Sequence, residues 1–182
     1  MRIGITGHTK GLGKAFAELF ESAGHEVVGF SRSNGYDITE KIDDIVNESK
    51  DLDMFINNAY AYWAQSELLK RMVAVWEGTD KVIVNIGSKM SLLSTPPEYA
   101  KDYAYNKAHQ NTFVAKRHIV SSPQILNVNL GLVDTDMSKG FDAKKMDPRD
   151  VAKMIGELLK YRNLIYVQEL MIDVPGQDWK NI

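Results

Sequence analysis

The chain has 182 residues, 44% of them hydrophobic, which suits one domain with a sizeable buried core. Its formal net charge of -2 argues against a polyanion-binding surface, because phosphate-backbone binding needs a basic excess. It contains no cysteine, which excludes disulfides, thiolate metal sites and cysteine nucleophiles and fits a cytoplasmic protein.

Residues 2–6 are a short β-rich run, with no charged and apolar leader pattern ahead of it. A glycine loop covers residues 7–13. Apolar residues at helical spacing follow over 14–23, closed by Gly24. Strand patterns are read at 26–30, briefly at 36–39, and at 53–56, 81–86, 124–130 and 170–174. Helices are read at 40–49, 65–76, 99–120 and 148–161. Leu68, Leu69, Met72, Val73 and Trp76 share one side of the second of these, facing either the sheet or another subunit. Strands separated by helices imply parallel crossovers and a sheet covered on both faces, a doubly wound α/β domain spanning residues 1–182. No apolar run reaches the ~18 residues that span a bilayer. The expectation is a soluble, cytoplasmic protein with neither a membrane nor a nucleic-acid partner. The irregular stretch 131–147 follows a strand and is expected over the carboxyl edge of the sheet.

The loop Thr6-Gly7-His8-Thr9-Lys10-Gly11-Leu12-Gly13 joins the first strand to the first helix. Glycine permits positive φ there and lets backbone approach a pyrophosphate, while the helix start offers unpaired N–H groups to the anion. Gly7, Gly11 and Gly13 are therefore candidate dinucleotide contacts. Tyr103 and Lys107 stand four apart, on one face of a helix. A cation beside a phenol stabilises phenolate and is expected to lower a pKa that is otherwise about 10. Tyr103 is thus a candidate general acid, and Ser88, ending a strand, a candidate donor to the same substrate oxygen. A chain of this composition holds about one Tyr-x-x-x-Lys pair by chance, so the pair gains weight only from its neighbours. His8, His25, His109 and His118 lack metal-ligand spacing, and no metal site is expected.

The T-G-x-x-x-G-x-G opening resembles the short-chain dehydrogenase/reductase family, and other pieces agree in order. Asn57-Asn58-Ala59-Tyr60 is similar to N-N-A-G, Tyr103 to Lys107 matches Y-x-x-x-K, and Asn129 to Thr135 resembles N-x-P-G-x-V-x-T. The resemblance implies a Rossmann-type sheet of about seven strands, a nicotinamide dinucleotide, and a small carbonyl or alcohol substrate. It implies catalytic roles for Ser88, Tyr103 and Lys107, with Lys107 also touching the nicotinamide ribose. Thr9, Leu12, Asn57, Asn58, Ala59, Gly131, Val133 and Thr135 are implied cofactor contacts, with Asp37 and Ile38 beside the adenine. It further implies a homodimer or homotetramer.

NAD-binding sites usually place an acid after the second strand. Here the residues are Ser31, Arg32 and Ser33. A guanidinium matches a 2′-phosphate, Lys10 adds a second charge, and the serines can donate hydrogen bonds. These features favour NADP(H). The chain departs from the family in four ways: it is short, its segment 61–80 lacks an asparagine, Tyr60 replaces a glycine, and Leu130 replaces a proline. The alternative is a dinucleotide-binding sensor or scaffold without efficient chemistry. Trp63, Met90, Tyr99, Met137 and Phe141 are candidates for a substrate pocket or for simple packing.

Overall fold

Ile3 and Ile5 point to one face of the first strand, β1 (Arg2–Thr6), and Gly4 to the other. This alternation continues across β2 (Glu26–Phe30), β3 (Met54–Asn57), β4 (Val82–Ser88), β5 (Gln124–Leu130) and β6 (Glu169–Ile172). The computed structural model describes residues 1–117 and 122–177. Its six strands form one parallel sheet in the order β2-β1-β3-β4-β5-β6.

Helices α1 (Gly11–Ser22) and α5 (Pro148–Leu159) cover one face. Phe16 and Phe20 meet Ile155 and Leu159 there, over Ile3, Ile5, Val84 and Val128. Helices α2 (Ile42–Glu48), α3 (Ala64–Val75) and α4 (Lys101–Ala115) cover the other. The stripe Leu68, Leu69, Met72 and Trp76 is buried against Phe55 and Ile83, so it builds the core and is not open to another subunit. Trp76 meets Phe55 edge-on at 6.4 Å.

Among the described residues the sheet has six strands where seven were expected. Residues 36–39 form no strand because their polar groups close turns: Tyr36 N–H donates to Ser31 O, and the Asp37 carboxylate accepts from Thr39 N–H and Oγ1. The helix expected over 99–120 begins as a 3-10 turn, Glu98–Ala100, and its α-helical part ends at Ala115. Positions 118–120 of that expectation, His118 included, lie outside the described residues. Among the described residues no helix is long and apolar enough to cross a membrane, and no cluster of metal-ligating side chains occurs.

Gly7, with φ +70°, turns the chain out of β1. Gly13 is required by packing: a Cβ there would stand 2.2 Å from Gly7 O and 2.7 Å from Asn58 Nδ2. Gly13→Ala is expected to cost roughly 1–3 kcal/mol, as other over-packed sites do. Urea unfolding should show a lower midpoint at unchanged slope. A midpoint equal to wild type would mean the loop yields freely.

Candidate active site

The sheet order reverses at β1, whose neighbours β2 and β3 carry the chain in opposite directions. Crevices form at such switch points, outside the carboxyl ends of the strands. Here the crevice is a cleft of ≈ 670 Å³. Gly7, Lys10, Gly11 and Leu12 form one end of its lining, and Asn58, Ala59, Ser88, Tyr103, Lys107, Gly131, Val133 and Thr135 also reach it. Lys10 caps α1 with extended backbone and no side-chain hydrogen bond, and no acid occupies the first turn. The first-turn N–H groups and the positive end of the helix dipole are therefore left to whatever enters the cleft.

Arg32 reaches the same cleft from the turn after β2. Ser31 and Ser33 share a hydrogen bond of 2.8 Å between their hydroxyls, and Asn34 closes a capping box with Ser31. The serines thus shape the turn that presents Arg32. Lys10 lies 3.7 Å from Asp136, and both side chains are largely exposed, so this pair is weak. Thr9 is exposed, and Ile38 is buried in the core beside α2. Thr9, Gly13, Ser31, Ser33, Asp37, Ile38 and Asn57 do not line the cleft, although the sequence reading named them as cofactor contacts.

Ser88, Tyr103 and Lys107 converge at the cleft floor. Ser88 ends β4 and accepts a hydrogen bond from Met90 N–H at 3.2 Å, and its hydroxyl is near enough to the Tyr103 phenol to influence its ionisation. The Lys107 Nζ donates at 2.6 Å to both Gln65 Oε1 and Ile86 O, and stands 5.6 Å from the Tyr103 ring centre. Tyr60 closes over the pair. Its ring meets Tyr103 edge-on at 4.8 Å and lies 5.4 Å from Lys107 Nζ.

Burial changes the expected electrostatics. Lys107 is 2% exposed, and burial pushes its pKa down to about 7. Tyr103 was expected below the ordinary phenol value. It is instead pushed up, first by burial, with the Ser88 hydroxyl opposing that rise and Tyr60 adding to it.

A chain of buried amides holds the group in place. Gln65 Nε2 donates to Asn57 O and Ile86 O, which aims its Oε1 at Lys107. Asn57, Asn85 and Asn127 stand side by side in register on β3, β4 and β5 and are bonded in a row at 2.9 and 2.8 Å. The row continues through Asn127 Nδ2 to Asn111 Oδ1 and from Asn111 Nδ2 to Ser91 Oγ, both at 2.8 Å. Helix α4 is thereby docked on the sheet largely through polar contacts, which fix Tyr103 and Lys107 in angle as well as depth. Gln65 was assigned no role from sequence, and of the asparagine row only Asn57 was named, as a cofactor contact. The signal existed: Gln65 heads the Leu68-Leu69-Met72 stripe, and three apolar strands carry a buried asparagine at matching register.

Chains of known structure share this fold. A 3-alpha-hydroxysteroid dehydrogenase from Pseudomonas sp., complexed with NADH, superposes with a TM-score of 0.73 at 19% identity, covering 95% of each chain. A serine dehydrogenase from Escherichia coli gives 0.73 at 19% identity, over 98% of this chain and 100% of that one. The fold is that of the short-chain dehydrogenases/reductases. A short-chain dehydrogenase from Burkholderia cenocepacia, complexed with NADP, gives 0.75 at 16% identity, over 95% of this chain and 88% of that one. No protein-family model and no curated protein sequence matches the chain.

Proposed function

We propose that the chain is an oxidoreductase that binds NADP(H) and reduces a small carbonyl compound, or oxidises the matching alcohol. The reading rests on one juxtaposition: a hydroxyl, a phenol and a lysine meet at the floor of a cleft whose other end is an open helix N-terminus flanked by two cations. The neighbours in fold include complexes with NADH and with NADP, so they favour a nicotinamide dinucleotide without choosing between the two.

The residues fit such a group. The uncapped start of α1 suits a pyrophosphate, and Lys10 and Arg32 suit a 2′-phosphate. When bound, a reduced nicotinamide supplies a hydride. Tyr103 gives its proton to the carbonyl oxygen, and Ser88 donates a hydrogen bond that steadies charge building there. Lys107 spends two N–H groups on Gln65 and Ile86, leaving one for the cleft. That third N–H holds a ribose hydroxyl or a water beside the phenol. Residues 1–182 act as one dinucleotide-binding domain in this reading, and Gly131, Val133 and Thr135 border the dinucleotide.

Arg32→Ala tests the dinucleotide choice. A hydrogen bond to a charged group contributes about 1.5–3 kcal/mol, so NADPH affinity should fall roughly 10–100-fold. NADH affinity should stay unchanged. Isothermal titration with both nucleotides checks this, and an equal loss for the two would remove Arg32 from phosphate recognition. NADPH binding with no turnover on a broad carbonyl panel would favour the sensor reading.

A further inference from the structure

We infer that the substrate end of the cleft takes an uncharged aromatic ketone or aldehyde; the inference rests on the dinucleotide reading above and adds the substrate class. The charged side chains that line the cleft are Lys10, Arg32, Asp136 and Lys107. Lys10 and Asp136 pair with each other beside the glycine loop, where Arg32 also enters. Lys107 is buried beneath the Tyr60 and Tyr103 rings. Lys89, next in sequence to Ser88, is held 2.6 Å from Asp173 and does not line the cleft.

Past Ser88 and Tyr103 the wall is apolar or aromatic: Tyr60, Met90, Tyr99, Leu132, Met137 and Phe141. A carboxylate or phosphate on the substrate would lose its water there and gain no counter-ion, which is costly. A neutral ring meets favourable surfaces instead. Tyr99 and Phe141 stand 6.2 Å apart, tilted by 40°, and join the loop before α4 to the loop after β5. Methionine sulfur at positions 90 and 137 suits an aromatic edge. Tyr99 and Met137 are each 64% exposed, an unusual outlay of apolar surface that a bound ring would cover. In the reaction the carbonyl carbon gains the hydride of the reduced dinucleotide, the π electrons move to oxygen, and oxygen takes the Tyr103 proton. The products are one alcohol, one oxidised dinucleotide and the Tyr103 phenolate, which regains its proton from water.

Acetophenone and 4-carboxyacetophenone differ only by the ionised group and serve as probes. Ligand-detected NMR titrations are run on the whole protein with and without NADP+, so the pocket is read separately from turnover and from dinucleotide binding. Binding of acetophenone at least about 10-fold tighter than its carboxylate, a 1.4 kcal/mol preference, supports the inference. Weakening of that binding by Phe141→Ala, and by the exposed Met137→Ala, supports it further. Equal or tighter binding of the carboxylate overturns it, as does an acetophenone affinity indifferent to both substitutions. Preferential binding without NADPH-dependent reduction supports the pocket assignment while defeating the proposed reaction.

Discussion

Tyr103→Phe is expected to lower turnover by about 10²–10⁴-fold while leaving NADPH affinity at the wild-type value. The ring that packs edge-on against Tyr60 stays, so the floor of the cleft keeps its shape. What goes is the phenol hydroxyl beside Ser88, and with it the proton for the substrate oxygen. The loss should fall on kcat rather than on KM, because the proton is needed only as charge develops on that oxygen. Stopped-flow reduction and calorimetric binding of NADPH separate the two quantities. A variant that reduces ketones at the wild-type rate would mean that another group is the acid. Direction matters as well. Burial holds the phenol above its ordinary value, so its acid form persists through neutral pH. Alcohol oxidation needs the phenolate and should rise with pH.

The second large effect belongs to Lys107. Its pKa is about 7 in the folded chain against an ordinary lysine value of 10.5. Between those values the unfolded chain holds a proton that the folded chain lacks, so stability rises with pH. The cost of burying the charge is full below about pH 7 and has vanished above the unfolded value. Lys107→Met keeps the length and removes the titration. The stability of this variant relative to wild type should therefore be most favourable near pH 6 and decline toward pH 10, by a few kcal/mol in all. Leaving Gln65 Oε1 and Ile86 O without their donor costs a further ~1–3 kcal/mol, but that loss does not vary with pH. Urea midpoints for the two proteins across this range decide the matter. Parallel profiles would mean that Lys107 titrates as it does in the unfolded chain. Turnover should fall in the same variant, since the phenol loses its cation.

Local chemistry made much of the fold legible in advance. The glycine loop, the strand of alternating isoleucines and the stripes on α1 and α3 are short-range patterns, and each lies where its spacing predicts. The missing seventh strand shows the limit of such patterns. Tyr36 to Thr39 has strand-like residues, yet Ser31, Asp37 and Thr39 offer its polar groups nearer partners than a sheet could. Ser88, Tyr103 and Lys107 were legible as candidates from residue type and spacing alone. Their surroundings were not.

By itself, then, the sequence determined the order of strands and helices, the open helix start after Lys10, and the cations at positions 10 and 32. These follow from residue type and near neighbours. Only the tertiary structure decided how Tyr103 and Lys107 are tuned. Spacing on one helix predicts a phenol lowered by its lysine, whereas enclosure by Tyr60, Ile86 and Gln65 raises the phenol and lowers the lysine. The same holds for the amide row. Asn57, Asn85, Asn127 and Asn111 are scattered along the chain and become one structure only when parallel pairing sets their register. Desolvation and register depend on what the rest of the chain brings near, and no local pattern carries that information.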